Sequence, residues 1–128
     1  MEFLFVYGTL LDPKNSVGQF LRSNAEFYGD GYFNGKLFDL GEYPGAVGSD
    51  NPADKVFGAV FFLKNVESIF RILDEYEESG DQFPEPNEFI RIKTEIVIGK
   101  NEKQLCWIYL YNRSIENLSP IKTWKFSG

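Results

Sequence analysis

The chain has 128 residues, a net charge of −6 and an aromatic-rich composition with 13 Phe, 7 Tyr and 2 Trp, which together indicate one globular domain with a sizeable core. The negative charge, without a basic stripe, argues against nucleic acid or an anionic membrane as a partner. The absence of histidine and the presence of a single cysteine, Cys106, exclude Ser-His-Asp and Cys-His catalysis, histidine-ligated metals, thiolate zinc sites and internal disulfides.

The sequence also limits the cellular compartment of the protein and the residue types that could serve in catalysis. No segment has the pattern of a signal peptide, and no apolar run is long enough to span a membrane. A lone thiol suits a reducing compartment, so we expect residues 1–128 to form a single cytoplasmic domain. Acid–base chemistry near neutral pH then requires a carboxylate, a lysine or a tyrosine with a shifted pKa.

The first element is a short apolar run at residues 3–7, which predicts a buried strand ending at Tyr7. It is followed by Gly8, Thr9 and Leu10. A glycine directly after a buried strand permits a turn with positive φ, and such a turn can aim successive backbone N–H groups at one anion. A plain strand-to-loop turn fits the same residues and remains the alternative.

The next segments predict small elements before the main helix. Residues 16–22 fit a short helix, and residues 32–38 fit a hairpin around Asn34-Gly35 with a type I′ turn. Residues 43–47 read as a turn that leads into a short strand, and residues 49–55 as a polar loop. The apolar run at 56–63 predicts a strand buried on both faces.

Residues 66–78 have the periodicity of one amphipathic helix, with Asn65 as its N-cap. At about 100° per residue, Glu77 projects onto the apolar face with Phe70 and Leu73. A carboxylate forced into a core is costly unless it is paired or takes part in chemistry, which makes Glu77 the strongest functional candidate. A frayed helix end with the carboxylate in water is the alternative.

The last third of the chain predicts a loop at 79–88 and two alternating strands at 89–98 and 104–111. On the second of these strands Cys106 is expected to be an inert core residue. About six short strands and one confident helix predict an α+β fold, a small curved and partly closed mixed β-barrel with the helix packed against it.

The order of several motifs resembles the gamma-glutamylcyclotransferase-like family, of the gamma-glutamylamine cyclotransferase type. The resemblance covers nearly the whole chain and is carried by residues 5–10, 35–45, 56–61, 73–77, 89–91 and 106–111. Tyr-Gly-Thr-Leu at 7–10 together with Leu-Asp-x-x-Glu at 73–77 is its most specific part. The sequence departs from the family pattern at Ala59, Glu78 and Phe89, where Glu, Gly and Tyr are usual.

The resemblance implies an enzyme that releases 5-oxoproline from a gamma-glutamyl amide without a metal or cofactor. The substrate's own α-amine attacks its γ-carbonyl, and Glu77 acts as general base and then general acid. Backbone N–H groups of the glycine turn are expected to hold a substrate oxygen. The expected substrate-binding residues are Tyr7, Gly8, Thr9, Leu10, Phe89 and Tyr111.

Two other readings stay open. One is a catalytically silent protein on the same fold that binds a small carboxylate-bearing ligand. The other is an interaction module that uses the acidic run at the helix end, formed by Asp74, Glu75, Glu77 and Glu78. For an enzyme, we expect the loop 79–88 to overhang the leaving-group side, so that its acids Asp81, Glu85 and Glu88 favour a cationic or neutral amine over the leaving group of glutathione.

Overall fold

The computed structural model describes residues 1–124. Within them the chain forms eight strands, two α-helices and a short 3-10 turn. The strands are β1 (Phe3–Val6), β2 (Ala25–Phe33), β3 (Gly35–Asp39), β4 (Pro44–Gly48), β5 (Val56–Leu63), β6 (Phe89–Ile98), β7 (Glu102–Tyr111) and β8 (Ser119–Ile121). The helices are α1 (Ser16–Asn24) and α2 (Val66–Tyr76), and the 3-10 turn spans Gly8–Leu11.

Five strands close into a barrel in the order β1-β5-β2-β6-β7. The barrel is mixed because β1 runs parallel to β7, with Leu4 opposite Trp107, while its other pairs are antiparallel. The remaining strands form a small sheet in the order β4-β3-β8. The predicted α+β barrel is therefore confirmed, although it is closed rather than partly closed, and the chain has eight strands in this part rather than about six.

The side-chain alternation of β1 and β7 sorts the core into two clusters. Leu4 and Val6 pack with Trp107 and Tyr109 against the apolar face of α2. The opposite faces of the same strands bury a second cluster that joins the barrel to β3 and β4, with Phe3, Phe5, Cys106 and Ile108 among its members. The alternation predicted for the last barrel strand is confirmed, and Cys106 is fully buried.

The predicted hairpin around Asn34-Gly35 is wrong. β2 pairs with β5 and β6, whereas β3 pairs with β4 and β8, so Asn34 joins two different sheets. Its side-chain amide donates hydrogen bonds of 2.8 Å to the backbone oxygens of both Asn51 and Asp54. Gly35 is required for space, since a Cβ there would lie 2.5 Å from the Phe33 ring and would collide with Val47 O.

The main helix differs from its prediction at both ends. Asn65 precedes it, but its side chain forms no capping hydrogen bond. The helix ends at Tyr76, so Glu77 is its C-cap residue rather than part of its last turn. The prediction that the preceding strand, β5, is buried on both faces is wrong at Phe57, which is 64% exposed. In residues 1–124 no helix combines the length and hydropathy that a membrane crossing demands.

Candidate active site

A cavity of about 180 Å³ opens where the end of β1, the start of β4 and the C-terminus of α2 meet. Phe89 at the start of β6 and Glu88 in the loop before it also line the cavity. Its lining is mostly apolar and aromatic, with three carboxyl groups: Phe5, Val6, Tyr7, Thr9, Leu10, Tyr43, Pro44, Tyr76, Glu77, Glu78, Glu88, Phe89 and Tyr109. A concave apolar pocket with a few converging polar groups has the form of a small-molecule site.

The floor of the cavity is the turn that follows β1. Gly8 has φ +71, and a Cβ at this position would lie 2.5 Å from Pro44 Cγ, so only glycine fits. The turn then continues as a 3-10 helix over Gly8–Leu11, whose first N–H groups have no partner within the helix. Thr9 and Leu10 line the cavity, and Gly8 is buried beneath them.

Tyr7 joins the two sheets behind this turn. Its hydroxyl donates a 2.6 Å hydrogen bond to Tyr109 O on β7 and accepts a 3.1 Å hydrogen bond from Ala46 N on β4. Burial, and then the charge of Glu77, raise the pKa of Tyr7 above its ordinary range, so its hydroxyl stays protonated. The ring contributes a wall of the cavity, and the hydroxyl holds that wall in place.

Glu77 lines the same cavity, although it is about 70 residues from Tyr7 in sequence. Its N–H donates a 2.8 Å hydrogen bond to Leu73 O, which keeps the backbone helical at this point. Burial, and then the nearby charge of Glu88, raise the pKa of Glu77 from 4.5 to about 8. The carboxyl group therefore holds its proton for most of the time at neutral pH.

The helix end that carries Glu77 closes with a Schellman arrangement. Ser79 N donates to Asp74 O at 2.8 Å, and Glu78 N donates to Glu75 O at 3.2 Å. This geometry places Glu78 in the left-handed region with φ +53, where glycine is the usual residue. Glu78 nevertheless occupies it, and its side chain lines the cavity.

A polar network ties the same helix end to the barrel. Arg91 on β6 donates two hydrogen bonds to Asp74, of 3.0 and 3.2 Å, and Tyr109 Oη donates a third of 2.6 Å. The guanidinium also lies 3.9 Å from the Phe70 ring centroid and 4.7 Å from that of Trp107. These contacts fix the last turn of α2, and with it Glu77, relative to β6 and β7.

Tyr76 anchors the helix end on the other side. Its hydroxyl accepts a 3.1 Å hydrogen bond from Asn15 Nδ2 and lies 3.4 Å from Thr9 Oγ1. The side chain of Asn15 also caps α1 through Gly18 N. The 3-10 turn, α1 and α2 therefore meet at one point on the rim.

The loop after α2 reaches the cavity through its last residue. Glu88 lines the cavity and accepts a 2.6 Å hydrogen bond from Tyr43 Oη. Asn87 holds the loop through hydrogen bonds with Gly80 and Pro84. The other two acids of the loop, Asp81 and Glu85, are exposed and are not among the residues that line the cavity.

The family model for gamma-glutamyl cyclotransferase, AIG2-like proteins matches residues 4–126. The chain belongs to this family. An AIG2-like protein from Mus musculus has the same fold, with a TM-score of 0.72 and 21% identity, covering 98% of this chain and 88% of the other. YtfP from Escherichia coli has a TM-score of 0.61 and 26% sequence identity, and the match covers 94% of this chain and 92% of YtfP. A structure described as a gamma-glutamyl cyclotransferase has a TM-score of 0.61 and 19% sequence identity, and the match covers 93% of this chain and 69% of the other. No curated protein is significantly similar in sequence.

In this cyclotransferase-family chain, five residues that the sequence singled out line one cavity: Tyr7, Thr9, Leu10, Glu77 and Phe89. Gly8 supports them from below. Tyr111 does not line the cavity, since its ring packs against Phe89 with 5.8 Å between centroids. It supports the wall from outside.

Several lining residues of this family member were not predicted as site residues from the sequence. Tyr43, Pro44 and Tyr109 belong to segments that carried the resemblance, and Tyr76 precedes Glu77 directly. Nothing in the local sequence distinguishes a tyrosine of a pocket wall from a tyrosine of the core. Among residues 1–124, no group of three or more Cys, Asp or Glu side chains is arranged to hold a metal ion.

Proposed function

We propose that this protein is a cyclotransferase that releases 5-oxoproline from a gamma-glutamyl amide, with Glu77 as the general base and acid. Membership of the gamma-glutamyl cyclotransferase, AIG2-like family supports cyclotransferase activity in general terms. The observation that carries the finer proposal is the position of Glu77, a carboxyl group with a pKa of about 8 in the cavity that Thr9 and Leu10 of the glycine turn also line. Perturbed carboxyl groups in clefts are typical of acid–base catalysts.

The proton balance of the reaction needs only one such group. The substrate's α-ammonium gives a proton to the Glu77 carboxylate, and the free amine attacks the γ-carbonyl carbon to close a five-membered ring. Glu77 returns this proton to the leaving nitrogen as the bond from that carbon breaks. The ring nitrogen then gives its second proton through Glu77 to the departing amine, which leaves as an ammonium ion and restores the carboxylate. The products are 5-oxoproline and the free amine, and no external nucleophile or cofactor is consumed.

The pKa of Glu77 suits both halves of this cycle. An α-amino group has an ordinary pKa of about 7.7–8.0, close to the value of about 8 for Glu77. Two groups of similar proton affinity exchange a proton at little free-energy cost, in either direction. A carboxyl group with an ordinary pKa would be too weak a base for the first step.

The turn after β1 is the proposed anion-binding part of the site. Its leading N–H groups, from Gly8 to Leu10, have no partner within the 3-10 turn and would hold the substrate's α-carboxylate or its γ-carbonyl oxygen. Tyr7 and Phe89 would confine the glutamyl chain in a folded form. Folding brings the amine to its own carbonyl, which is a large proximity gain.

The test is release of 5-oxoproline from a panel of gamma-glutamyl amides. Glu77→Gln preserves the shape of the side chain and removes the base, so we expect kcat to fall by about 10²-fold or more. The matched control is Glu75→Gln, because Glu75 is exposed on the same helix and outside the cavity lining. Turnover by Glu77→Gln at the wild-type rate would refute the mechanism.

A catalytically silent binding protein remains the second candidate. It is favoured by Phe89, an apolar residue in the cavity where the family resemblance leads one to expect a hydroxyl. It predicts saturable binding of gamma-glutamyl amides without any 5-oxoproline. The third reading, an acidic interaction surface, is less favoured: Asp74 is bound to Arg91 and Glu77 faces the cavity, so the acids do not share one surface.

We further propose a cytoplasmic location and a small gamma-glutamyl molecule as the partner, with no role for nucleic acid or a membrane. The support is the acidic composition and the single, buried thiol of Cys106. Burial raises the pKa of this thiol to about 12, which suits an unreactive core residue.

A further inference from the structure

The charged residues that line the cavity are all acidic. Its lining contains the carboxyl groups of Glu77, Glu78 and Glu88, and no lysine or arginine. Glu77 is given its role by the proposed chemistry, and Glu88 is bound by the Tyr43 hydroxyl. The role of Glu78 is left unassigned.

Glu78 has a backbone conformation that its side chain does not favour. At φ +53 an L-residue with a Cβ is strained, and glycine would close the same Schellman arrangement without that cost. The hydrogen bonds of the helix end, Glu78 N to Glu75 O and Ser79 N to Asp74 O, involve only backbone atoms. The side chain of Glu78 is therefore not needed to end the helix.

The strained backbone of Glu78 places its side chain at the cavity. Glu78 follows Glu77 directly and lines the same cavity from its open side. Glu78 and Glu88 both line the cavity, and the charges of both raise the pKa of Tyr43, whose hydroxyl donates to Glu88. A leaving group that extends from Glu77 along the cavity would therefore meet both carboxylates.

We propose that Glu78 is a specificity-determining residue, which with Glu88 selects leaving amines that carry a second, positively charged group. This inference rests on the proposed cyclotransferase function. A leaving group with an ammonium at its far end would be attracted to the Glu78–Glu88 pair, and one with a carboxylate there would be repelled. An alkyl leaving group would feel neither effect.

The experiment uses three gamma-glutamyl amides of similar length, whose leaving amines are butylamine, 1,4-diaminobutane and 4-aminobutanoate. They share the glutamyl group, and each leaving amine contains four carbons and ends in a methyl, an ammonium or a carboxylate group. For wild-type protein we expect kcat/KM to be highest for the diamine conjugate and lowest for the carboxylate. In Glu78→Gln, which keeps the strained backbone, the preference for diamine over butylamine should shrink by about two- to fivefold.

Two further variants separate charge from backbone strain. Glu78→Gly removes both the carboxylate and the strain, so it should lose selectivity as Glu78→Gln does while resisting urea better than wild type. Glu75→Gln removes an exposed charge outside the cavity and should keep the wild-type selectivity. Raising the salt concentration should reduce the wild-type preference and leave that of Glu78→Gln nearly unchanged.

The failures are distinguishable. If no amide is turned over, the proposed function fails, and the dissociation constants of the same three amides still test Glu78 by calorimetry. Selectivity that is unchanged in both Glu78→Gln and Glu78→Gly, in turnover or in binding, would overturn the inference. A wild-type preference for the carboxylate conjugate would overturn it as well.

Discussion

Glu77 and Glu88 line one small cavity from different elements, and the charge of Glu88 raises the pKa of Glu77. Glu77 ends α2, while Glu88 precedes β6 and is held by the Tyr43 hydroxyl at 2.6 Å. Burial is the larger cause of the raised pKa of Glu77, and the charge of Glu88 is the smaller. Replacing Glu88 therefore tests the coupling without removing the proposed base.

The pH dependence of turnover should report this coupling. Glu77 must be ionised to accept a proton from the substrate's α-ammonium, so kcat/KM should rise with pH up to about 8 and fall at higher pH as the ammonium loses its proton. In Glu88→Gln the rise should occur at lower pH, because one of the two causes that raise the pKa of Glu77 is gone. Glu85→Gln is the control, since this exposed loop acid is outside the cavity lining. An identical profile for Glu88→Gln and wild type would contradict the coupling.

The free energy of unfolding should depend on the same proton. The folded protein keeps the proton of Glu77 up to about pH 8, whereas the unfolded chain releases it near 4.5. Between these values the folded state binds more protons, so stability falls as pH rises, by up to about 1.4 kcal/mol per pH unit from this group.

Glu77→Gln removes this loss of stability. The difference in unfolding free energy between Glu77→Gln and wild type should grow in favour of the variant from about pH 4.5 to about pH 8 and then level off. Urea denaturation at half-unit pH steps measures it. A difference that is constant with pH would mean that the Glu77 carboxyl titrates alike in the folded and unfolded states.

At the scale of elements, Asp74 is the charged residue of α2 that binds the helix to the barrel. This carboxylate accepts hydrogen bonds from Arg91 and Tyr109, on two neighbouring strands. Because both partners of the ion pair are about three-quarters covered, its loss leaves a half-buried guanidinium without an acceptor.

Asp74→Ala should therefore destabilise the protein by about 2 kcal/mol, within the range for hydrogen bonds to charged groups. Glu75→Ala, one residue later and exposed, should change stability by no more than about 0.5 kcal/mol. Urea denaturation of both variants supplies the comparison. Equal effects would show that the Asp74–Arg91 pair adds nothing to the attachment of α2.

The elements that the sequence predicted well are those with a long, regular pattern. β6 has the bounds expected from its alternating isoleucines, and the alternation predicted for β7 is confirmed by the division of its side chains between the two core clusters. The hairpin failed because Asn34-Gly35 satisfies a local turn rule, whereas the actual strand pairing is decided by partners such as Gly48 and Phe57 far along the chain.

The site was predictable to the extent that one helical projection could reveal it. Glu77 was visible because a carboxylate on an apolar helix face breaks a local rule. Tyr43 and Tyr109 break none, and only the closed barrel brings them to the cavity. Glu78 was recognised as a departure from the family pattern, but its left-handed backbone could not be known before the helix end was located at Tyr76.

At the scale of the whole molecule, the barrel and the small sheet are joined where β2 passes into β3. Gly35 lies opposite Gly48 in the β3–β4 pair, yet the two differ in the space around them. A Cβ at Gly35 would meet the Phe33 ring at 2.5 Å, whereas one at Gly48 would meet the same ring at 3.9 Å.

Gly35→Ala should consequently cost about 2 kcal/mol through overpacking, while Gly48→Ala should stay within about 1 kcal/mol of wild type. Thermal and urea unfolding of the two variants make a matched comparison, because both glycines belong to one strand pair. Equal stability of the two variants would show that the junction has room to relax.

The residues that line the cavity come from both sides of the polar loop between β4 and β5, and the two sets lie far apart in the sequence. The chain before it supplies Tyr7, the glycine turn and Tyr43, and the chain after it supplies Glu77, Glu88 and Tyr109. β1 and β2 also find their barrel partners only among the later strands. If the chain were cleaved in this exposed loop, neither fragment alone would contain the cavity. Activity would return only when the two fragments associate, and because association is bimolecular, dilution would reverse it.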